Sequence, residues 1–398
     1  MPSVTSGRVA VALAVAAVVC ALIAYGSPMG IDYGAPPCAP YICDDAQPAI
    51  VALAHGKVHD FFANQPPMGS FSLVVRAPFA AVGDAFGGRD LAVYRAGVFA
   101  CLVGLGLLAV WTMSAMARFS ALKFGHPEEL PGAALCAGGV LAAARGRTLL
   151  SGVLLGCAIA TKQWALLAVP VALVAAPRGR VRMSAAAAGV AGLFTIPMIL
   201  ADPSRFWLAQ KSVGIATTFQ NTVTASNIWF PFARGTTAPT LTPHGKDVTT
   251  QYSLSHSLGH LTHPLVALLA LAAIGAYAYR RREAAGDEAL QLLALVFLIR
   301  CVFDPLTYSY HHAPFLVALI VYEGLRRRVP AMAGYAIAAL LAMTYLVVPT
   351  HNTALINAFY LGWSLPLLAA LALATLAPER MERIAARLRL RRSASALA

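Results

Sequence analysis

The stretch LLSGVLLGCAIATKQWALLAVPVALVAAP, residues 149–177, decides how this chain is threaded. As one helix rising ~1.5 Å per residue it would be roughly 43 Å long, beyond the ~30 Å of hydrocarbon in a bilayer. Lys162 interrupts it near the middle. An ionisable side chain at the bilayer centre costs ~2.5–3.5 kcal/mol on insertion scales, so the stretch reads as two short helices meeting near Lys162 at a membrane surface. A single long helix would carry Arg145 and Arg147 to the face opposite the other arginine clusters.

Working outward, the chain is 59% hydrophobic and 12% charged, with a mean hydropathy of +0.67. Soluble domains carry about a quarter charged residues, so this is a polytopic membrane protein. Apolar segments fall at 8–26, 70–86, 92–116, 131–144, 148–161, 163–176, 183–201, 263–279, 288–303, 312–325, 330–348 and 354–377. Lipid offers no water to open backbone groups, so each is expected to be a helix. The expected fold is all-α, with about 12 transmembrane helices, two of them the short hairpin around Lys162. The first span, Arg8 to Tyr25, lacks a small-x-small cleavage site before Pro28 and reads as a retained signal anchor.

Placing the N-terminus inside puts 19 of the 30 Lys and Arg on the inner face, 7 outside and 4 within spans, the asymmetry of the positive-inside rule. The same threading puts all ten histidines at the outer face: His55, His59, His126, His244, His256, His260, His263, His311, His312 and His351. Segment 70–86 is interrupted by Arg76, Pro78 and Asp84, but without it every later arginine cluster would invert. The organisation expected is one integral-membrane domain, 1–378, with outer loops 27–69 and 202–262, followed by a basic cytoplasmic tail, 379–398. That tail alternates Arg with Leu, Ile and Ala, as an amphipathic helix on anionic lipid does. The loop from Asp202 to His260 carries Trp207, Trp229, Phe230, Pro231 and Phe232, and is expected to cap the membrane surface.

The net charge of +13 comes from short clusters between apolar spans, which excludes a nucleic-acid-binding domain. The seven cysteines show no zinc spacing. Cys20, Cys101, Cys136, Cys157 and Cys301 lie in apolar segments as small core residues. Cys38 and Cys43 share the first outer loop, where an oxidising compartment allows a disulfide.

Candidate chemistry gathers at two places. Asp44 and Asp45 open the run DDAQPAIVALAHG, residues 44–56; one can cap a short helix, and the other is then available as a general base, a role worth roughly 10²- to 10⁴-fold in rate. Arg76, Lys162 and Arg300 sit within or at the edges of apolar segments, where cations suit the phosphate of a membrane-embedded lipid. Arg300 precedes Asp304 by four residues, the spacing of a helical ion pair. Lys162 has no acidic neighbour in sequence. His256, His260 and His263, spaced i, i+4, i+7, present three imidazoles on one helical face and could hold zinc, although a surface helix end explains them as well. Gly152 and Gly156 form a small-xxx-small pair suited to close helix packing.

Several segments together carry a resemblance: residues 44–68 with Gln65-Pro66-Pro67, Gly125-His126-Pro127-Glu128-Glu129, Ala160-Thr161-Lys162-Gln163-Trp164, and residues 300–312 with Asp304-Pro305, Tyr308 and Tyr310. In these the chain resembles the GT-C superfamily of membrane glycosyltransferases, and most closely the actinobacterial polyprenol-phosphate-sugar enzymes of glycosyltransferase family 87 type. The resemblance implies inverting transfer of a sugar, mannose, from a polyprenyl-phosphate donor to an envelope glycolipid or glycan outside the plasma membrane. It places the catalytic acid at Asp44 or Asp45, with Asp32 as a substitute, and donor-phosphate contacts at Lys162, Arg300 and Arg76. Asp32, Gln65, His126, Glu128, Glu129, Gln163, Asp304, Tyr308, Tyr310 and His311 would line the substrate groove. Such enzymes differ in their use of a divalent cation, so no metal or other cofactor is assigned; the partners implied are the lipid-linked donor, the acceptor and membrane lipids. A transporter or lipid flippase is the rival reading, but such proteins place ionisable groups at broken helices within repeated halves, and no repeat is visible here. A non-catalytic scaffold for envelope enzymes is the third.

Overall fold

The computed structural model describes residues 46–64, 69–86, 96, 128–210, 221–242, 245–280, 287–326, 331–381 and 383. Each apolar segment within them is helical. Helices α1 (Gln47–Ala54), α2 (Val58–Ala63) and α3 (Ser70–Ala85) come first, then α4 (Glu129–Ala144) and α5 (Thr148–Ile159). A 3₁₀ turn, Gln163–Leu167, leads into α6 (Ala168–Ala175), followed by α7 (Arg180–Ala201) and α8 (Pro203–Gln210). After two strands come α9 (His256–Arg280), α10 (Glu288–Phe303), α11 (Ala313–Leu325), α12 (Ala331–Ala342) and α13 (Thr353–Leu376).

Among the described residues four helices are long and apolar enough to cross a membrane: Arg180–Ala201, His256–Arg280, Ala331–Thr350 and Thr353–Leu376. Glu129–Ala144, Thr148–Ile159 and Gln163–Ala175 are shorter apolar helices. The expected spans 8–26 and, apart from residue 96, 92–116 lie outside the described residues, as do Cys38 and Cys43. The split near Lys162 is present: α5 stops at Ile159, and Lys162 takes an extended conformation (φ −150°, ψ 137°) before the chain turns again.

The core is built around α10, in which every residue from Ala289 to Val302 is buried. A helix apolar on all sides belongs inside a bundle, and α10 contacts α4, α6, α9, α11 and α13. One apolar cluster runs through these helices from Leu130 to Leu371. A smaller one, with Ile50, Phe61, Leu73 and Met198, joins α1, α2, α3 and α7. Glu323 of α11 accepts from the N–H groups of Met332 (3.1 Å) and Ala333 (3.2 Å), so one helix's carboxylate caps the next helix where its N–H groups lack partners.

The all-α expectation is corrected in the long loop. There Arg234–Thr242 (β1) pairs antiparallel with Gly245–Ser253 (β2), in register from Arg234 opposite Ser253 to Thr242 opposite Gly245. The threonines, Val248 and Tyr252 favour extended backbone, and this segment lies outside the apolar spans, where the demand for helix does not apply. The hairpin is anchored by Val223 N–H to Tyr252 O (2.9 Å) and Leu254 N–H to Asn221 O (2.6 Å).

The two small residues of α5 permit close approach to α7. A Cβ on Gly152 would lie 2.5 Å from Met183 O and 2.6 Å from Ala186 Cβ; one on Gly156 would lie 2.6 Å from Val190 Cβ. Gly152→Val is therefore expected to cost about 1–3 kcal/mol through overpacking, read as a lower melting temperature of the detergent-solubilised protein. Gly189→Ala, with nothing within 4 Å of the added carbon, should be neutral or slightly stabilising. Equal melting temperatures for the two variants would contradict the packing described.

Candidate functional site

The break after α5 leaves carbonyl groups that the helix can no longer satisfy. Two are taken by the entry to α3: Gly69 N–H donates to Thr161 O (3.0 Å) and Phe71 N–H to Ala160 O (3.1 Å). The approach is so close that a Cβ on Gly69 would lie 1.8 Å from Ala160 O. Thr161 spends its hydroxyl on Cys157 O (2.8 Å), closing the last turn of α5. This docking carries Arg76, two turns further along α3, into the interior, where it is fully buried.

Arg76 meets Glu128 (Nη1 to Oε2, 3.9 Å), and both are fully buried. Lys162 Nζ lies 2.9 Å from Glu128 Oε1 and 3.5 Å from Glu129 Oε1. The carboxylates stand at the N-terminal end of α4, where the helix dipole favours negative charge. Four ionisable side chains from three separate stretches of the chain thus form one cluster, buried but for Lys162, which is 17% exposed. Lys162, without an acidic neighbour in sequence, has two in space.

Trp164 joins this cluster to Arg300. The Arg300 guanidinium carbon lies 5.7 Å from the centroid of the Trp164 ring, and Phe297 meets the same ring edge-on at 5.3 Å. Gly132 of α4 lies beneath it: an added Cβ would reach Trp164 Cζ2 at 3.4 Å. Arg300 Nε is 3.8 Å from Asp304 Oδ2, the ion pair expected at i, i+4. Asp304 Oδ1 accepts from Leu306 N–H (3.0 Å), turning the chain at Asp304-Pro305. Among the described residues, Arg300 Nη1, Trp164 Nε1 and Glu129 Oε2 are buried without a hydrogen-bond partner. Each such group is costly unless something satisfies it, and between them they offer two donors and an acceptor.

The second break, between α10 and α11, is held by the loop at 221–229. Thr224 N–H donates to Pro305 O (3.0 Å), Asn227 Nδ2 to Pro305 O (2.6 Å) and Trp229 Nε1 to Phe303 O (2.6 Å). From α13, Asn357 Nδ2 donates to Ala225 O and Asn227 O, and Tyr360 donates to Cys301 O (3.0 Å). His312 Nε2 lies 3.1 Å from the Tyr360 hydroxyl. Beside this turn Tyr308 and Tyr310 stack in parallel at 5.7 Å, with His311 edge-on to both.

The match to known families follows this geometry. The family model described as glycosyltransferase family 87 matches residues 69–305. The chain belongs to glycosyltransferase family 87. No curated protein and no solved structure matches it. The family 87 region begins at the glycine that docks on Ala160 and ends at the proline after Asp304, so it contains the first break, the charge cluster and the start of the second break. A membrane glycosyltransferase is thereby shown, and the family gives no support to a transporter.

Of the residues singled out in sequence, Arg76, Glu128, Glu129 and Lys162 come together, with Arg300 and Asp304 adjoining through Trp164. Gln163 turns away to hydrogen-bond Gln210 of α8. Tyr308, Tyr310 and His311 form the aromatic group just described. Asp32, Asp44, Asp45, Gln65 and His126 lie outside the described residues. His256 and His260 meet at 2.9 Å, but His263 lies beside Thr262; among the described residues no group of three His, Cys, Asp or Glu is placed to hold a metal ion. Sequence reading missed Asn227, Asn357 and Tyr360: single polar residues in apolar surroundings are their only signal, and the carbonyls they satisfy are invisible until the breaks are located.

The cluster makes a thermodynamic prediction. Glu128→Gln leaves a buried cation facing a neutral amide, and breaking a buried pair costs about 3–5 kcal/mol. Glu128→Gln with Lys162→Met should cost clearly less than the two single changes added together, measured by denaturant or thermal unfolding in detergent. Additive costs would show that the pair is not coupled.

Proposed function

We propose that this family 87 glycosyltransferase moves a sugar, mannose, from a polyprenyl-phosphate donor to an envelope glycolipid or glycan on the outer face of the plasma membrane, with inversion at the anomeric carbon. The observation that carries the reading is the cluster of Arg76, Lys162 and Arg300 with their carboxylates beside Trp164. A lipid-linked donor presents its phosphate at the edge of the hydrocarbon, and a leaving phosphate needs directed N–H donors there more than anywhere else in the reaction.

Three basic side chains face three acidic ones here, so an excess of positive charge does not attract the phosphate. Recognition rests on geometry: Glu128 and Glu129 hold Lys162 in place, Asp304 holds Arg300, and Arg300 Nη1 and Trp164 Nε1 keep N–H groups to give. Phosphate oxygens accept from such donors, and Arg300 stacked on an indole is fixed in one plane. The sidedness has support of the same kind. Glu128 and Arg145 flank opposite ends of α4, and Arg300 and Asp287 opposite ends of α10, so the cluster lies at the bundle end away from the arginines that the positive-inside rule assigns to the cytosol.

In the transfer, a carboxylate of the first outer loop, Asp44 or Asp45, takes the proton from the acceptor hydroxyl. The hydroxyl oxygen attacks the anomeric carbon from the face opposite the phosphate, the bond from that carbon to the phosphate oxygen breaks, and polyprenyl phosphate leaves with the electron pair. Tyr308, Tyr310 and His311 offer flat faces on which a sugar ring can lie. No metal is assigned to any step.

The test uses purified protein, radiolabelled polyprenyl-phosphate mannose and envelope lipids. Label is expected in the acceptor fraction. Asp44→Asn or Asp45→Asn should lower turnover by roughly 10²- to 10⁴-fold with donor binding retained, while Arg300→Ala should weaken donor binding itself. Full turnover in both aspartate variants would remove the first outer loop from the chemistry, and label that never leaves the donor would remove the proposed substrate.

A further inference from the structure

The opposite end of the bundle carries a second constellation of basic groups, of a different kind. Where α9 and α13 finish, a cavity of about 540 Å³ is lined by Tyr277, Arg280, Thr375, Glu379, Arg380 and Arg383. Arg280 closes α9, and α10 begins a few residues later; Arg300 lies near the far end of α10, twelve residues from Glu288, or roughly 18 Å along the helix axis. The cavity is therefore separate from the site at Lys162 and Arg300.

Unlike the outer cluster, this one is not charge-balanced. Among the described residues, Glu379 is the one acid that lines it, against three arginines. The acids that open α10, Asp287 and Glu288, are both held by Arg326 of the α11 C-terminus. Arg280 uses Nη1 to donate to Leu376 O (2.6 Å), and Arg383 uses Nε to donate to Glu379 O (3.3 Å). Their other N–H groups make no hydrogen bond among the described residues. The carbonyl end of α13 would repel an anion if left open. That end is partly taken up: Leu373 O accepts from Ala377 N–H, Leu376 O from Arg280, and Ala377 O, just beyond the helix, from the N–H groups of Arg380 and Met381.

A second observation points into the same space. Thr375 is 3% exposed, and its hydroxyl has no hydrogen-bond partner among the described residues. Threonine in a helix ordinarily returns its hydroxyl to the preceding turn; this one is left with a donor and an acceptor to give. A hydroxyl and three guanidinium groups around a cavity of this size suit a phosphate with a small organic substituent. The cavity sits where apolar helices end and a basic segment begins, the level at which lipid phosphates lie.

We infer that this cavity binds the phosphate of an anionic phospholipid headgroup in the leaflet opposite the transfer site. The ligand is seated by Arg280, Arg380 and Arg383 and hydrogen-bonded by Thr375. It joins the ends of α9 and α13 and so fixes one end of the bundle.

Full-length protein in nanodiscs of phosphatidylcholine, with and without phosphatidylglycerol, tests the inference through lipid retention by native mass spectrometry and through melting temperature. Phosphatidylglycerol is expected to be retained and to raise the melting temperature over phosphatidylcholine alone. Arg280→Gln, Arg380→Gln and Arg383→Gln together should weaken retention by about tenfold or more. The charge-matched set Arg387→Gln, Arg389→Gln and Arg391→Gln, later in the sequence, should change it far less; equal losses in the two sets would reduce the effect to general attraction and overturn the inference. Inorganic phosphate that stabilises the protein as well as phosphatidylglycerol does would overturn the lipid as the source. Should the triple variant melt early in phosphatidylcholine alone, Thr375→Val decides: it removes a hydroxyl and no charge, a drop in retention of a few fold supports the site, and unchanged retention overturns it.

Discussion

A helix that stops inside a membrane protein must find partners for its last carbonyls, and the site of this protein depends on how that demand is met. At the end of α5 the partners are the N–H groups of Gly69 and Phe71. Only a residue without a Cβ can come that near Ala160. The consequence is long-range, because the start of α3 is fixed against the break and Arg76 must then lie beside Glu128. Lys162, held extended by the same break, meets those carboxylates from the other side. One requirement of backbone hydrogen bonding thus brings together ionisable groups from three separate parts of the chain.

The turn after α10 obeys the same requirement with different means. Its carbonyls at Cys301, Phe303 and Pro305 are satisfied by Tyr360, Trp229, Thr224 and Asn227, side chains and backbone from the long loop and α13. The loop is therefore a structural partner of the break and more than a surface cover. Both interruptions fall at one end of the bundle, which is where irregular backbone is tolerated if protein or a cavity surrounds it. A functional site built at interrupted helices follows from that tolerance, since those are the places where polar groups can enter an apolar bundle at low cost.

How much of this could be read from the residues alone differs from one feature to the next. The apolar segments among the described residues are helices at almost the boundaries that hydropathy gives, and the break at Lys162 follows from length and from the cost of burying a lysine. Arg76, Lys162 and Arg300 stood out because cations are scarce in apolar segments. What remained hidden was pairing. Glu128 lies 34 residues before Lys162 and 52 after Arg76, and no periodicity links them; the contact exists only because α4 packs beside α5 and α3 docks on the break. The hairpin was hidden for another reason: Thr-rich segments of an outer loop carry a weak strand preference that no apolar alternation reinforces.

The two ends of the bundle treat charge in opposite ways, and the contrast has a physical reason. At the Lys162 end the cations are deep, and an unmatched cation in a low-dielectric interior would cost several kcal/mol; carboxylates from α4 and from the α10 turn match them. Matched charge in turn removes non-specific attraction, so under the function proposed above the donor phosphate is selected by the remaining N–H groups of Arg300 and Trp164. At the Arg280 end the arginines stand near the surface, where water shares the cost and balance is unnecessary. An excess of positive charge costs less at that second end, where the anionic headgroup inferred above would supply the counter-charge. The placement of acids, more than that of bases, therefore separates a site that selects its ligand by shape from a surface that gathers anions by charge.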